Sequence, residues 1–223
     1  MKNFFALLLC FSCIYATEVH EMWWEKCLDK DELNKNFGKT WGGDPHQISR
    51  VMMRQHVKKM GYTSILDVPC GLAMDYFGFK EDGISIDYLG VDITPKLVAL
   101  AKERDVPVIE GSIEALPFPD SQYDICYTRH ILEHLPSYEN PVNELIRVAK
   151  KEVFIVFFIL PDPFSTKTQI HTDYVKNQFL YHNTYSLSDI EQFLKNNPKV
   201  AKFHWENARE DGVILHIFMK PKE

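Results

Sequence analysis

Ile65-Leu66-Asp67-Val68-Pro69-Cys70-Gly71-Leu72-Ala73 is a short apolar run that ends in an acid, turns on a glycine and enters a helix. Such a turn lets a ligand approach the backbone and the helix N-terminus. Leu89-Gly90-Val91-Asp92 is a second apolar run ended by an acid. An acid at that position can accept hydrogen bonds from both ribose hydroxyls of an adenosine. A third stretch, Gly111-Ser112-Ile113-Glu114-Ala115-Leu116-Pro117-Phe118, leads through Asp120, Tyr123 and Asp124 into Cys126-Tyr127-Thr128-Arg129-His130-Ile131-Leu132-Glu133-His134-Leu135. It supplies a hydroxyl, a guanidinium and two imidazoles, the groups that bind polar ligands and move protons.

These residues need elements to hold them. Asp44-Pro45 with Gln47 opens a helix running to about Lys59, and Gly61 ends it. Strands are expected at Ile65–Val68, Tyr88–Val91, Val106–Ile109, Tyr123–Tyr127 and Val153–Leu160, the last apolar enough to be buried on both faces. Helices fall between them: from about Leu72, from Thr94-Pro95 to Arg104, and from Pro141 to Ala149. Ser186-Leu187-Ser188-Asp189 is a capping box for a helix through Leu194. Strands near Val200–Glu206 and Val213–Met219 flank an Asp211-Gly212 turn and close the chain as a hairpin. This alternation predicts an α/β fold: a mostly parallel seven-stranded sheet with helices on both faces and a C-terminal antiparallel hairpin.

Two cofactor classes put an acid at the end of the second strand, and Asp67 separates them. A nicotinamide site needs three glycines and no acid after the first strand. Here a carboxylate is present, which would repel a pyrophosphate and can hold the ammonium of a methionine moiety. In order and spacing, residues 65–160 resemble the class I S-adenosylmethionine (SAM)-dependent methyltransferases, methyltransferase type 11 branch. That pattern runs Leu-Asp-Val-Gly-Cys-Gly, Gly-Val-Asp, Gly-Asp-Ala-Glu-Leu-Pro-Phe, Leu-Glu-His-Leu, then an Arg-Val pair, here Arg147-Val148.

The resemblance implies a Rossmann-like fold, SAM as cofactor, and a set of binding residues. Asp67, Pro69 and Gly71 fall on the methionine side and Asp92 on the ribose. Ile93 packs on adenine, Ser112 and Ile113 lie at the adenine edge, and Thr128 and Arg129 form the floor beneath the sulfonium. Three departures stand out. Pro69 replaces a glycine and has no N–H to donate, Ala73 replaces the last glycine, and Ser112 replaces the usual Asp. A catalytically inactive SAM-binding protein of the same fold is the alternative they raise.

Methyl transfer requires an aligned nucleophile, and a general base only if that nucleophile carries a proton. His130, His182 and Tyr185 are the candidates for acceptor chemistry, whereas His134 belongs to the shared Leu-Glu-His-Leu pattern and reads as structural. His171, His182 and Tyr185 lie in a long segment, Pro161–Tyr185, expected to form a lid at the carboxyl end of the sheet. No metal site is expected. The acceptor is a small or lipid-like molecule that the sequence does not name.

The 223 residues carry 25 Lys and Arg against 31 Asp and Glu, a net charge of −6, which disfavours non-specific nucleic-acid binding. Residues 1–16 read as a signal peptide or apolar leader, with a Lys2 start and an apolar run from Phe4 to Ala16, and are the only expected membrane contact. Residues 17–60 read as an N-terminal helical cap, with Trp23, Trp24 and Trp41 able to cover the pocket, and 61–223 as the methyltransferase domain. The leader suggests export, whereas SAM use and free Cys70 and Cys126 suit a cytosol-like compartment. Localisation therefore stays open at this level.

Overall fold

The computed structural model describes residues 43–173 and 178–221. The leader, the segment 17–42 and its three tryptophans lie outside the described residues.

Helix α1 (Ile48–Met60) is followed by β1 (Ser64–Asp67), α2 (Met74–Glu81), β2 (Asp87–Asp92), α3 (Pro95–Lys102) and β3 (Val108–Glu110). Then come β4 (Tyr123–Arg129), a 3-10 turn at Leu132–His134, α4 (Glu139–Val148) and β5 (Ala149–Phe157). The chain continues through β6 (Lys167–Asp173), β7 (Gln178–Thr184), α5 (Leu187–Asn196), β8 (Val200–Asn207) and β9 (Val213–Met219). Seven strands form one sheet in the order β3-β2-β1-β4-β5-β9-β8. The first five pair in parallel, and β9 runs antiparallel to both β5 and β8.

Alternating side chains divide the sheet into two covered faces. Ile65, Ile125, Tyr127, Phe154 and Ile214 pack with Met53 and Val57 of α1, Phe79 of α2 and Val98 of α3. Leu66, Cys126, Val153, Ile155, Leu215 and Ile217 pack with Leu145 of α4 and Ile190 and Leu194 of α5 on the opposite face. Helix α1 is thus part of the same core as the strands. Cys70 and Cys126 are buried free thiols, filling space as small hydrophobes.

Several boundaries differ from the sequence reading. Helix α1 starts at Ile48, because the Asp44 carboxylate accepts the His46 N–H (2.8 Å) in a turn that precedes the helix. Strand β5 begins at Ala149 and stops at Phe157. Its polar opening, Lys150-Lys151, is exposed, so hydrophobicity does not mark it. At α5 the expected cap is present: Ser186 Oγ accepts the Asp189 N–H (3.2 Å).

The largest difference is in the expected lid. Residues 167–173 and 178–184 form an antiparallel pair outside the main sheet, in register from Lys167↔Thr184 to Asp173↔Gln178. Mixed polar and aromatic residues without strict alternation hide these strands from a periodicity reading. Among the described residues no helix is long and apolar enough to cross a membrane.

Candidate active site

The acids singled out in the sequence meet at the carboxyl ends of β1 and β2. Asp92 Oδ2 accepts the Gly71 N–H (2.8 Å), and its Oδ1 accepts the Thr94 N–H (2.9 Å). One buried carboxylate therefore ties the β1–α2 turn to the start of α3. Burial raises its pKa, while the backbone donors pull the other way. Gly71 has φ +54°, and among the described residues nothing lies within 4 Å of where a Cβ would stand. Its left-handed backbone turns the loop. The turn lies close over β2, where a Cβ on Gly90 would stand 2.7 Å from Cys70 Sγ.

Asp67 is 2 % exposed. It accepts a hydrogen bond from the Tyr88 hydroxyl (2.6 Å). Burial lifts its carboxyl to about 7, against the opposing pull of Tyr88 and of the Arg50 and Arg129 charges. Tyr88 and Arg50 were not singled out in the sequence. Tyr88 stands there only as the first residue of the second expected strand, and Arg50 falls within the helix expected to run to about Lys59. In the fold Arg50 is buried and ion-paired with Asp75, and Arg54, one turn further, donates to Asp82 Oδ2 (2.7 Å) and the Pro45 carbonyl (2.8 Å).

Arg129 and Thr128 end β4. Arg129 is directed at Ser49 Oγ (Nε, 3.0 Å) and Asp211 Oδ1 (Nη2, 2.8 Å), which joins β4 to the start of α1 and to the β8–β9 turn. Thr128 Oγ1 is buried and has no hydrogen-bond partner among the described residues. Ile93 and Ser112 are partly exposed at neighbouring strand ends, and Ile113 is buried. Ser112 Oγ accepts the Glu114 N–H (3.2 Å), which leaves its own proton available to a ligand. Pro69 is partly exposed in the same turn as Gly71.

The three acceptor-site candidates separate. His130 has φ +56°, with Nε2 3.3 Å from the Asp211 carbonyl oxygen. A carbonyl only accepts, so Nε2 carries the proton and Nδ1 the lone pair. Burial and the Arg129 charge lower its pKa to about 3. His182 lies with its ring centroid 5.0 Å from that of His134 and 6.0 Å from Phe158. His134 Nδ1 in turn donates to the Tyr181 carbonyl (2.8 Å), and burial lowers its pKa to about 4. His130, Phe158, His134 and His182 thus form one aromatic group between the end of β4 and the outer hairpin.

Tyr185 is buried. Its hydroxyl lies 2.6 Å from the Leu132 carbonyl and 3.1 Å from that of Leu135, and Asn183 Nδ2 donates to it (3.2 Å). Those contacts dock the hairpin on the 3-10 turn. Glu133, also missed in the sequence, accepts the Phe158 N–H (2.7 Å) and the Ile159 N–H (3.2 Å) through Oε1. It fixes the chain where β5 leaves the sheet.

Five parallel strands, an antiparallel β9 inserted beside β5, and acids at the ends of β1 and β2 define a class I methyltransferase fold. Residues 66–157 match the methyltransferase domain family model. Over this segment, about two fifths of its length, the chain is similar to class I SAM-dependent methyltransferases. It is 30 % identical over 100 residues to malonyl-[acyl-carrier protein] O-methyltransferase of Pectobacterium atrosepticum, covering 44 % of this chain and 39 % of that one. It is 31 % identical over 108 residues to demethylmenaquinone methyltransferase of Anoxybacillus flavithermus, covering 45 % of each. The matches thus span less than half the length of these relatives. A SAM-dependent methyltransferase structure from Methanosarcina mazei superposes with a TM-score of 0.54 at 16 % identity, over 72 % of this chain and 93 % of that one. SAM is the general cofactor of the class.

Proposed function

We propose that this protein transfers a methyl group from SAM to a small or lipid-like acceptor. The observation that carries the reading is the buried Asp92 carboxylate, held by the Gly71 and Thr94 N–H groups at the first βα crossover. A carboxylate has about four acceptor positions, so two remain for the ribose hydroxyls.

The residues present suit the cofactor. Asp67 offers a carboxylate for the ammonium, the backbone beside Gly71 would receive the methionine side, and Thr128 Oγ1 is a buried hydroxyl lacking a partner among the described residues. Ile93, Ile113 and Ser112 would border the adenine, and Pro69 and Arg129 would frame the methionine end. When bound, SAM supplies a methyl group on a positively charged sulfur, already a good leaving group.

The protein's own contribution is alignment and exclusion of water. The outer hairpin covers the carboxyl ends of β4 and β5, and the group of His130, Phe158, His134 and His182 would contact the acceptor. The uncharged His130 and His134 rings and the phenyl ring of Phe158 suit an acceptor with apolar or aromatic surface, since an uncharged ring costs far less to desolvate than a charged one. The two relatives act, by their names, on a malonyl-acyl carrier protein and a demethylmenaquinone, which is in keeping with a small or lipid-like acceptor.

Titration calorimetry with SAM and its demethylated product tests the reading. Micromolar-range binding is expected, and Asp92→Ala should weaken it by at least about 1.5 kcal/mol through lost charge-assisted hydrogen bonds. Binding of NADH in place of SAM would overturn it. The substitutions Pro69 and Ser112 favour one other reading, a SAM-binding protein without turnover, to be separated by methyl-transfer assays against quinone and acyl-carrier acceptors.

A further inference from the structure

A second cluster lies away from the cofactor end, and the methyl-transfer reading makes no use of it. Glu152 stands in the first half of β5, His216 on β9 and His56 on α1, so three separate elements converge. Glu152 is fully buried, His216 is 1 % exposed, and the His56 side chain is 18 % exposed. Glu152 Oε2 is 2.8 Å from His56 Nε2, and Oε1 is 2.8 Å from His216 Nδ1. One donor atom from each residue lies within 4.8 Å of the other two.

We propose that His56 Nε2, the Glu152 carboxylate and His216 Nδ1 form a binding site for a divalent transition-metal ion of the zinc class. Two imidazole nitrogens and one carboxylate make a typical three-ligand donor set for that ion, with a fourth position left for water.

The surroundings carry the argument beyond the three ligands. A metal-bound histidine usually donates its other ring N–H to a carboxylate, and a ligating carboxylate is itself hydrogen-bonded. Here His216 Nε2 faces Glu206 Oε2 at 3.1 Å, and the Tyr62 hydroxyl donates to Glu152 Oε2 at 2.7 Å. The His204 ring stacks on His216 at 4.3 Å, with 9° between the planes, fixing its orientation. The partly exposed His56 gives the ion a way in. Metal entry would displace the proton on His56 Nε2 and the one on His216 Nδ1, both of which now point at Glu152. The ion would fasten α1 to the β5–β9 pair at the end of the sheet remote from Asp92.

The test uses the untagged full-length protein, stripped with a chelator and titrated with zinc chloride by calorimetry, with thermal melting in parallel. One equivalent should bind with a Kd below about 1 µM. Free zinc at 100 times Kd should raise Tm by roughly 5–10 °C. Cobalt(II) should give the visible absorption of a four-coordinate site. His56→Ala should weaken zinc binding at least 100-fold and abolish the Tm increment, each protein being compared with its own metal-free Tm. Should His56→Ala fail to fold, His56→Gln, which keeps a donor toward Glu152, carries the same comparison. Absence of one-equivalent binding, or binding and melting unchanged by the His56 variants, would overturn the site. The cluster would then be a proton-filled hydrogen-bond network. Neither result depends on SAM binding.

Discussion

Arg129 Nη2 lies 2.8 Å from Asp211 Oδ1, both side chains largely buried, and this ion pair joins the end of β4 to the turn between β8 and β9. Ser49 completes it, since its N–H donates to Asp211 Oδ2 (3.0 Å) and its Oγ accepts from Arg129 Nε (3.0 Å). Removing Asp211 would strand a buried guanidinium, so Asp211→Ala should cost about 3 kcal/mol or more. Urea unfolding checks this: the midpoint should fall with an unchanged slope. A loss below about 1 kcal/mol would mean that the pair is effectively solvent-screened.

Asp67 makes SAM binding pH-dependent if it holds the ammonium group. Its carboxyl is lifted to about 7 in the unliganded protein, and a bound cation would lower that value. Binding near pH 7 should therefore release a fraction of a proton, and affinity should rise between pH 6 and pH 8. Calorimetry in buffers of different ionisation enthalpy measures the release. An affinity that is flat with pH and a zero proton count would take Asp67 out of the ammonium role.

His182 and Tyr185 are expected to behave differently although both lie at the hairpin. His182→Ala should lower turnover while sparing SAM affinity. Tyr185→Phe removes the buried hydroxyl shared by the Leu132 and Leu135 carbonyls, and should cost about 1–2 kcal/mol of stability with turnover largely kept at low temperature. Initial rates with an identified acceptor, alongside melting curves, distinguish the two patterns. Equal losses of turnover in both would give Tyr185 a part in the acceptor site.

Glu133 links stability to pH. Burial lifts its carboxyl to about 7, above the ordinary 4.5, so the folded state holds the proton more tightly than the unfolded chain. Its contribution is fully present below about pH 4.5 and is lost as pH rises through about 7. The lowered pKa values of His130 and His134 act in the opposite sense, contributing above 6.5 and losing that contribution as pH falls. Comparison with Glu133→Gln isolates the glutamate: the variant should gain stability relative to wild type between pH 5 and pH 8. A constant difference across that range would exclude the titration.

Every cofactor motif begins at Ile65 or later. A chain starting at Thr17 should therefore fold and bind SAM like the full chain. Far-UV circular dichroism and calorimetry compare the two, and loss of SAM affinity would give residues 1–16 a place in the folded domain. Sequencing the native N-terminus addresses cleavage directly: a start at Thr17 supports a processed leader, and one at Met22 a shorter protein.

The sequence by itself determined the order of the main-sheet strands and their helices, the acids at the ends of β1 and β2, and the family resemblance. Those are local matters: an apolar run, a capping residue or a glycine turn acts through neighbours a few positions away. Only the tertiary structure decided what each polar side chain meets. Tyr88 reaches Asp67 across a parallel strand pair, Arg129 finds Asp211 from far along the chain, and His56 and His216 close on Glu152 from a helix and a strand on either side of it in sequence. The outer hairpin belongs to the same class, because its strands gain their pairing from each other and their position from Tyr185 and His134. Burial then sets the chemistry: desolvation in the folded core lifts Asp67 and Glu133 toward neutrality and holds His130 uncharged, an effect that residue type alone does not carry.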